Sequence, residues 1–288
     1  MSGSGPAGAA LWAGRRAALA TMHGKQAAIA PPLSRIAGLA VEVARGLDTD
    51  ALGTFTGEIP RAGGLRDTAL AKARLGMRAA GSDLGLASEG AYGPHPSIPF
   101  LPAGAEVLVL VDDARGLVLW EEIVDSAPVY AATEAASVET LEGFLAGIGF
   151  PRQAVVVRPN AGAGPVRKGL AARAPLARAV EESAAASADG LARVETDMRA
   201  HMNPARMSTI GRLAQRFAER LARACPACGA PGFGRVRAGA ALPCAWCGGP
   251  TLQPGGDVLG CAACAHEVET AAEGAQEADP AHCPACNP

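Results

Sequence analysis

All eight cysteines of the 288-residue chain lie after residue 224, as four CxxC pairs: Cys225/Cys228, Cys244/Cys247, Cys261/Cys264 and Cys283/Cys286. No other feature constrains the fold as tightly. A CxxC turn presents two thiolates to one ion, and two such turns complete a tetrahedral four-sulfur site. Four turns therefore predict two structural Zn2+ sites. A disulfide framework is the competing use of eight cysteines, and a cytoplasmic setting disfavours it. The stretch CAWCGGPTLQPGGDVLGCAACAHE reads as one zinc ribbon: knuckle, hairpin, knuckle. That reading pairs the second knuckle with the third and leaves the first for the fourth. The spacing also admits sequential and interleaved pairings.

Charge limits what this tail can do. From residue 225 onward, Arg235 and Arg237 face six carboxylates, a net of -4, and eight thiolates holding two Zn2+ add a further -4. Phosphate backbones are bound by Lys and Arg, so the tail does not read as a nucleic-acid binder. A structural role or docking of a protein partner fits better. The preceding segment STIGRLAQRFAERLARA carries Ile210, Leu213, Phe217 and Leu221 at helical spacing. Arg212, Arg216 and Arg220 form a second stripe, either solvated or facing the acidic tail.

The rest of the chain has the composition of a folded domain. Hydrophobic residues make up 49% and aromatics only 4%, so the core must be aliphatic. No apolar run reaches the length of a membrane span. Residues 1–14 lack the pattern of a signal peptide and read as a disordered lead, which makes the expected location cytoplasmic. Lys25, Lys72 and Lys168 are the only lysines in an arginine-rich chain. A compact ammonium retained in such a background marks Lys25 as a candidate for chemistry.

Residues 15–222 alternate between strand-like and helix-like segments. Strands are predicted at 17–21, 39–44, 84–87, 106–111, 117–123, 154–158 and 192–195, and helices at 67–80, 138–148, 170–187 and 204–223. The hairpin VLVLVDDARGLVLWEEI makes a purely parallel sheet untenable. The predicted fold class is α/β, a three-layer-like domain with a mixed sheet, followed by a small zinc-ribbon-like module over 223–288.

Polar residues concentrate where the predicted strands end, the usual place for a site in such folds. TMHGK offers His23 and Lys25. GLDTDALGTFTGEIPR offers Asp48, Asp50, Glu58 and Arg61. SEGAYGPHP offers Glu89 and His95, and VETDMRAHMNPARM offers Glu195, Asp197, Arg199, His201 and Arg206. Turns and helix caps account for many of these singly, with Asn203–Pro204 a good helix start. Together they suit a hard cation such as Mg2+ on carboxylates and phosphate oxygens on Lys25 and the arginines. The chemistry expected is metal-assisted attack of water on a phosphoanhydride, with Lys25, Glu58, Glu89 and Asp197 catalytic. His23, Arg61, His95, Arg199, His201 and Arg206 would then bind substrate. A transition metal on His23, His95 and His201 is a further option. No Walker-type loop, GxGxxG or GxSxG elbow is present.

The motifs HGK, LDTDALGTFTGEIPR, GLASEGAYGPHP, VETDMRAHMNPARM and the closing CPACGAPGFG, LPCAWCGGPT and ADPAHCPACNP resemble an uncharacterised bacterial family, the domain of unknown function 6671. The resemblance runs from about residue 15. It implies a two-part protein with a zinc-binding tail and implies no activity. Gln26 departs from the acid expected after HGK. At the level of fold analogy, the motif order also resembles the inosine-triphosphate pyrophosphatase group. That analogy implies that Lys25 meets phosphate, that Glu58 and Glu89 hold Mg2+, and that Lys72 faces the cleft. The alternative expectation is a non-enzymatic binding or scaffolding protein whose zinc module docks a partner.

Overall fold

The structure is a computed structural model, and it describes residues 11–48, 63–94, 100–271, 274 and 276–287. The chain opens with β1 (Arg16–Ala20), α1 (Gln26–Pro32, continued by a wider turn over Leu33–Ala37) and β2 (Ala40–Val43). Then come α2 (Leu65–Ala80), β3 (Leu84–Pro94), β4 (Pro102–Asp112) and β5 (Leu117–Asp125). These strands form a mixed sheet in the order β2-β1-β3-β4-β5, with β2, β1 and β3 parallel and β4 and β5 antiparallel to their neighbours.

The first sheet is the middle of three layers. Leu19, Leu84, Leu86, Leu108, Leu110 and Leu119 pack against Ile29 and Leu33 and against the later helix α5 (Pro204–Leu221). Ala20, Ala87, Val107, Val109 and Val111 pack against Ala69, Ala73 and Met77 of α2 on the other face. Strand alternation sorts these two sets, since neighbouring residues point to opposite faces. Small residues on α2 let it lie close to the sheet. A Cβ on Gly76 would press on Ala20, and one on Gly85 would run into Met77.

A second sheet follows, which the sequence does not announce. It comprises β6 (Ala132–Ala135), β7 (Val155–Pro159), β8 (Arg167–Leu170) and β9 (Ala192–Thr196), in the order β6-β9-β7-β8 with every pair antiparallel. β6 and β8 are edge strands of four residues each, too short and too polar to show alternation. One face is covered by α3 (Glu142–Ile148) and α4 (Arg173–Ala186), through Val155, Val157, Ala192 and Val194 against Leu145, Leu176 and Val180. The predicted helix start at 170 moves to Arg173, because Leu170 closes β8.

Several expectations hold at the level of single residues. Asn203 caps α5 by accepting from the Arg206 backbone N–H at 2.9 Å, with Pro204 in the first helical position. Ile210, Leu213, Phe217 and Leu221 are buried on one face of α5. Two readings differ from the structure. Residues 11–14, assigned to a disordered lead, form a turn; Trp12 is buried, and its indole N–H donates to the Leu221 carbonyl at 3.0 Å. α1 was not foreseen because Pro31 and Pro32 lie inside it, where proline normally breaks a helix.

The cysteine-bearing module comprises a three-stranded sheet, β10 (Gly234–Ala238), β13 (Gly256–Gly260) and β14 (Glu267–Ala271), and a hairpin of β11 (Ala241–Pro243) and β12 (Pro250–Pro254). Arg220 fastens it to the first domain. This buried side chain donates to the Gly232 carbonyl at 3.1 Å and to the Trp120 carbonyl at 2.6 Å, and pairs with Glu121. The arginine stripe of α5 is thus divided. Arg216 also meets Glu121, and Arg212 caps onto Thr209.

Candidate functional site

β1 lies between β2 and β3, and the chain leaves it toward β2 over one face and reaches β3 over the other. The carboxyl ends of β1 and β3 are therefore a switch point, where open α/β sheets form a crevice. β1 stops opposite Ala87, whereas β3 runs on to Pro94. Beyond Ala87 the β1-facing edge of β3 has lost its strand partner. Lys25 takes its place: Nζ donates to the Ser88 carbonyl at 3.0 Å and to Ser88 Oγ at 2.9 Å.

This corrects the reading of SEGAYGPHP. Glu89 does not sit at a strand exit but inside β3, paired with Val107 in the eleven-residue ladder to β4. Gly90 is not a turn residue. A Cβ there would strike the Glu106 carboxylate and Arg206, so glycine opens the space those two groups fill. Ser88 and Glu89 point to opposite faces. On the α2 face, Lys72 Nζ pairs with Glu89 Oε2 at 2.6 Å. On the α5 face, Arg206 Nε pairs with Glu106 Oε1 at 2.5 Å, Tyr92 donates to the same oxygen at 3.0 Å, and both members of the pair are 0% exposed.

Among the described residues around β3, Lys25, Lys72, Glu89, Glu106 and Arg206 are all buried. Burial, and then Arg206, push the pKa of Lys25 down to about 8, while Glu106 and Glu89 partly offset this.

A second group of predicted residues lies beside this crevice. The His23 and His201 rings stack at 5.2 Å. Asp197 is held by Arg199, with Nη2 at 2.7 Å and the backbone N–H at 3.0 Å, and it also accepts from the Gly169 N–H at 3.0 Å. His23, Asp197 and Arg199 line a cleft of about 190 Å3 over the second sheet. The structure thus gathers Lys25, Glu89 and Arg206 around β3, and Asp197, Arg199 and His23 around the cleft. Asp50, Glu58, Arg61 and His95 lie outside the described residues. Sequence reasoning missed Ser88, Tyr92 and Glu106. The one available signal for Glu106 was a carboxylate opening the apolar run EVLVLV.

His23 carries a prediction about pH. Burial first, then Lys25, His201, Arg199 and Arg206, lower its pKa to about 4. An unfolded histidine titrates near 6.5, so the unfolded chain binds more protons between those values. The stability contribution is fully present above about pH 6.5 and is lost as pH falls toward 4. Proton NMR of the His23 ring should show no titration from about pH 8 to 5.5, and His23→Gln should flatten stability against pH in the acid range. A His23 midpoint near 6.5 would contradict the placement.

The cysteines form two sets, and the pairing differs from the ribbon reading. Cys225, Cys228, Cys261 and Cys264 form one group, and Cys244, Cys247, Cys283 and Cys286 the other. The knuckles are interleaved, first with third and second with fourth. Sulfur separations are 3.8 Å for Cys225–Cys264, 3.7 Å for Cys228–Cys261, 3.9 Å for Cys244–Cys286 and 3.7 Å for Cys247–Cys283. Four sulfurs at about 2.3 Å from one ion in tetrahedral geometry lie about 3.8 Å apart, so both sets fit zinc. A disulfide needs about 2.05 Å. The ribbon reading fails because β13 pairs with β10 and β14, while the second knuckle sits in the separate β11–β12 hairpin.

A family model described as a domain of unknown function, DUF6671, matches residues 72–288. The chain belongs to the DUF6671 family. The match begins at Lys72, so β1, α1 and Lys25 precede the matched span while sharing its first sheet. No curated protein and no solved structure matches the chain. Among the described residues of this DUF6671 protein, no helix is long and apolar enough to cross a membrane. The same residues hold no group of three or more metal-ligating side chains besides the two cysteine sets.

Proposed function

We propose that this protein is a hydrolase or transferase acting on a phosphate-bearing small molecule, with a nucleotide as the first candidate. The observation that supports this reading is Lys25 reaching across the β1–β3 switch point to Ser88, a buried ammonium at the crevice. A phosphate arriving there meets an ammonium with little competing water, where its charge counts most. Lys25 would hold a phosphoryl oxygen and stabilise developing charge. Neutral His23 beside it would orient an attacking water by accepting its hydrogen bond. Should Mg2+ take part, Glu89 would hold it together with Glu58, and Lys72 would have to give way. The two cysteine sets would hold structural Zn2+.

The test is a panel of nucleoside mono-, di- and triphosphates with Mg2+ or Mn2+. Turnover of at least one is expected, with kcat lowered about a hundredfold or more in Lys25→Met and in Glu89→Gln. A wild-type protein that turns over nothing on the panel would sink the reading.

A scaffolding role is the second reading, supported by the zinc module. Trp246 and Leu252 are 79% and 80% exposed on and beside the second knuckle. Under that reading Trp246→Ser and Leu252→Ser together would abolish co-purification of a partner.

A further inference from the structure

The face of the second sheet away from α3 and α4 carries Val156 and Arg158 on β7 and Arg193 and Glu195 on β9. It floors the cleft walled by His23, Tyr130, Met198 and Arg199. Arg158 and Arg193 are direct cross-strand partners in the antiparallel ladder. Like charges in that position destabilise a sheet. Among the described residues two carboxylates stand beside them: Glu134 on β6 is the other cross-strand partner of Arg193, and Glu195 bonds to both arginines. Glu195 Oε2 accepts from Arg158 Nη2 at 3.3 Å and from Arg193 Nε at 3.1 Å. Each guanidinium has five N–H donors, so most donors of both remain unspent above the sheet. Among the described residues, the cations lining the cleft are Arg158, Lys168, Arg193 and Arg199, and the carboxylates are Glu195 and Asp197. Asp197 is already taken by Arg199.

We propose that Arg158 and Arg193 form the binding site for a phosphoryl dianion in this cleft. Each guanidinium can present a pair of parallel N–H donors, the geometry that phosphate oxygens accept bidentately. A dianion between them replaces a like-charge repulsion with two attractions. Tyr130, Val156 and Met198 supply apolar surface for the body of a ligand beside the charge. His23 lines this cleft and feels the charge of Lys25, so a single ligand can extend from the arginines toward the crevice. The inference rests on the function proposed above only in that respect. It gives the substrate a second anionic group, apart from the one at Lys25.

The experiment is isothermal titration of the full chain with inorganic phosphate and with adenosine 5′-monophosphate at low and high salt. Saturable binding of the monophosphate is expected, weakened by salt. Arg158→Gln/Arg193→Gln should raise Kd at least tenfold, and circular dichroism should show the fold intact, since the two side chains are 35% and 37% exposed. Glu195→Gln should tighten binding several-fold by removing the competing carboxylate, which a merely structural trio would not do. No saturable binding of either probe, or equal affinity in the double variant, overturns the proposal. Binding lost in Lys25→Met but untouched in the double variant also overturns it, while leaving the reading of the crevice intact. Binding that depends on the arginines, with no turnover of any nucleotide, keeps this site and removes the enzymatic reading.

Discussion

Changing Cys261 and Cys264 to serine is expected to abolish metal binding at the first four-cysteine group and to expose Cys225 and Cys228 to alkylation, leaving Cys244 and Cys247 protected. The expectation follows from the interleaved pairing, in which the third knuckle completes the site of the first. A nested pairing would expose the second knuckle instead. Mass spectrometry after alkylation separates the two, and metal analysis gives the count. The effect should be large, because a structural zinc site contributes roughly 10 kcal/mol or more to the fold it closes. It should also spread. The first site lies between Ala224 and β10, next to Gly232, whose carbonyl receives Arg220. Losing that site should loosen the contact with β5 and α5, and lower the thermal midpoint of the whole chain. Losing the second site, in the β11–β12 hairpin, should leave the first domain close to its original midpoint. Equal damage from either pair would contradict this hierarchy.

Arg206→Met should destabilise the protein by about 3–5 kcal/mol, because it strands the buried carboxylate of Glu106 without its cation. Both side chains are 0% exposed, and the guanidinium also donates to the Met198 carbonyl on the turn leading into α5. Tyr92 would remain as a single donor to Glu106, too little for a charge sealed from water. Glu106→Gln in the same background removes the stranded charge and should recover a large part of the loss. Urea unfolding of the two single variants and the double variant measures this coupling directly. If the singles and the double simply add, Arg206 and Glu106 do not act as a unit. Arg206 also sits one turn from the capped start of α5, so its loss should open amides near that end first in hydrogen exchange.

Both predictions concern groups whose sequence signals differ sharply. The knuckles were legible because CxxC spacing fixes local geometry whatever the rest of the chain does. Arg206 was legible only as one cation among several, and Glu106 was not singled out. The two are 100 residues apart in sequence, and no local pattern joins them. Glu89 shows how a local rule misleads. SEGAYGPHP reads as the end of the strand predicted at 84–87, yet Gly90 serves the close approach of Glu106 and Arg206, and β4 pairs with the strand as far as Pro94.

What the sequence determined by itself were the features set by short-range geometry. These are the four cysteine knuckles, the capped start and buried face of α5, and the placing of seven of the nine strands described before the cysteine module, by runs of aliphatic residues. What only the tertiary structure decided were the pairings between distant segments. Which knuckle shares an ion with which depends on strand order in the module. Whether Lys25 meets Ser88 depends on β1 ending before β3. That Arg158 faces Arg193 depends on the register of two strands more than thirty residues apart. Periodicity reports which way a side chain points, but its partner is fixed by register and crossover, which come from the packing of the whole chain.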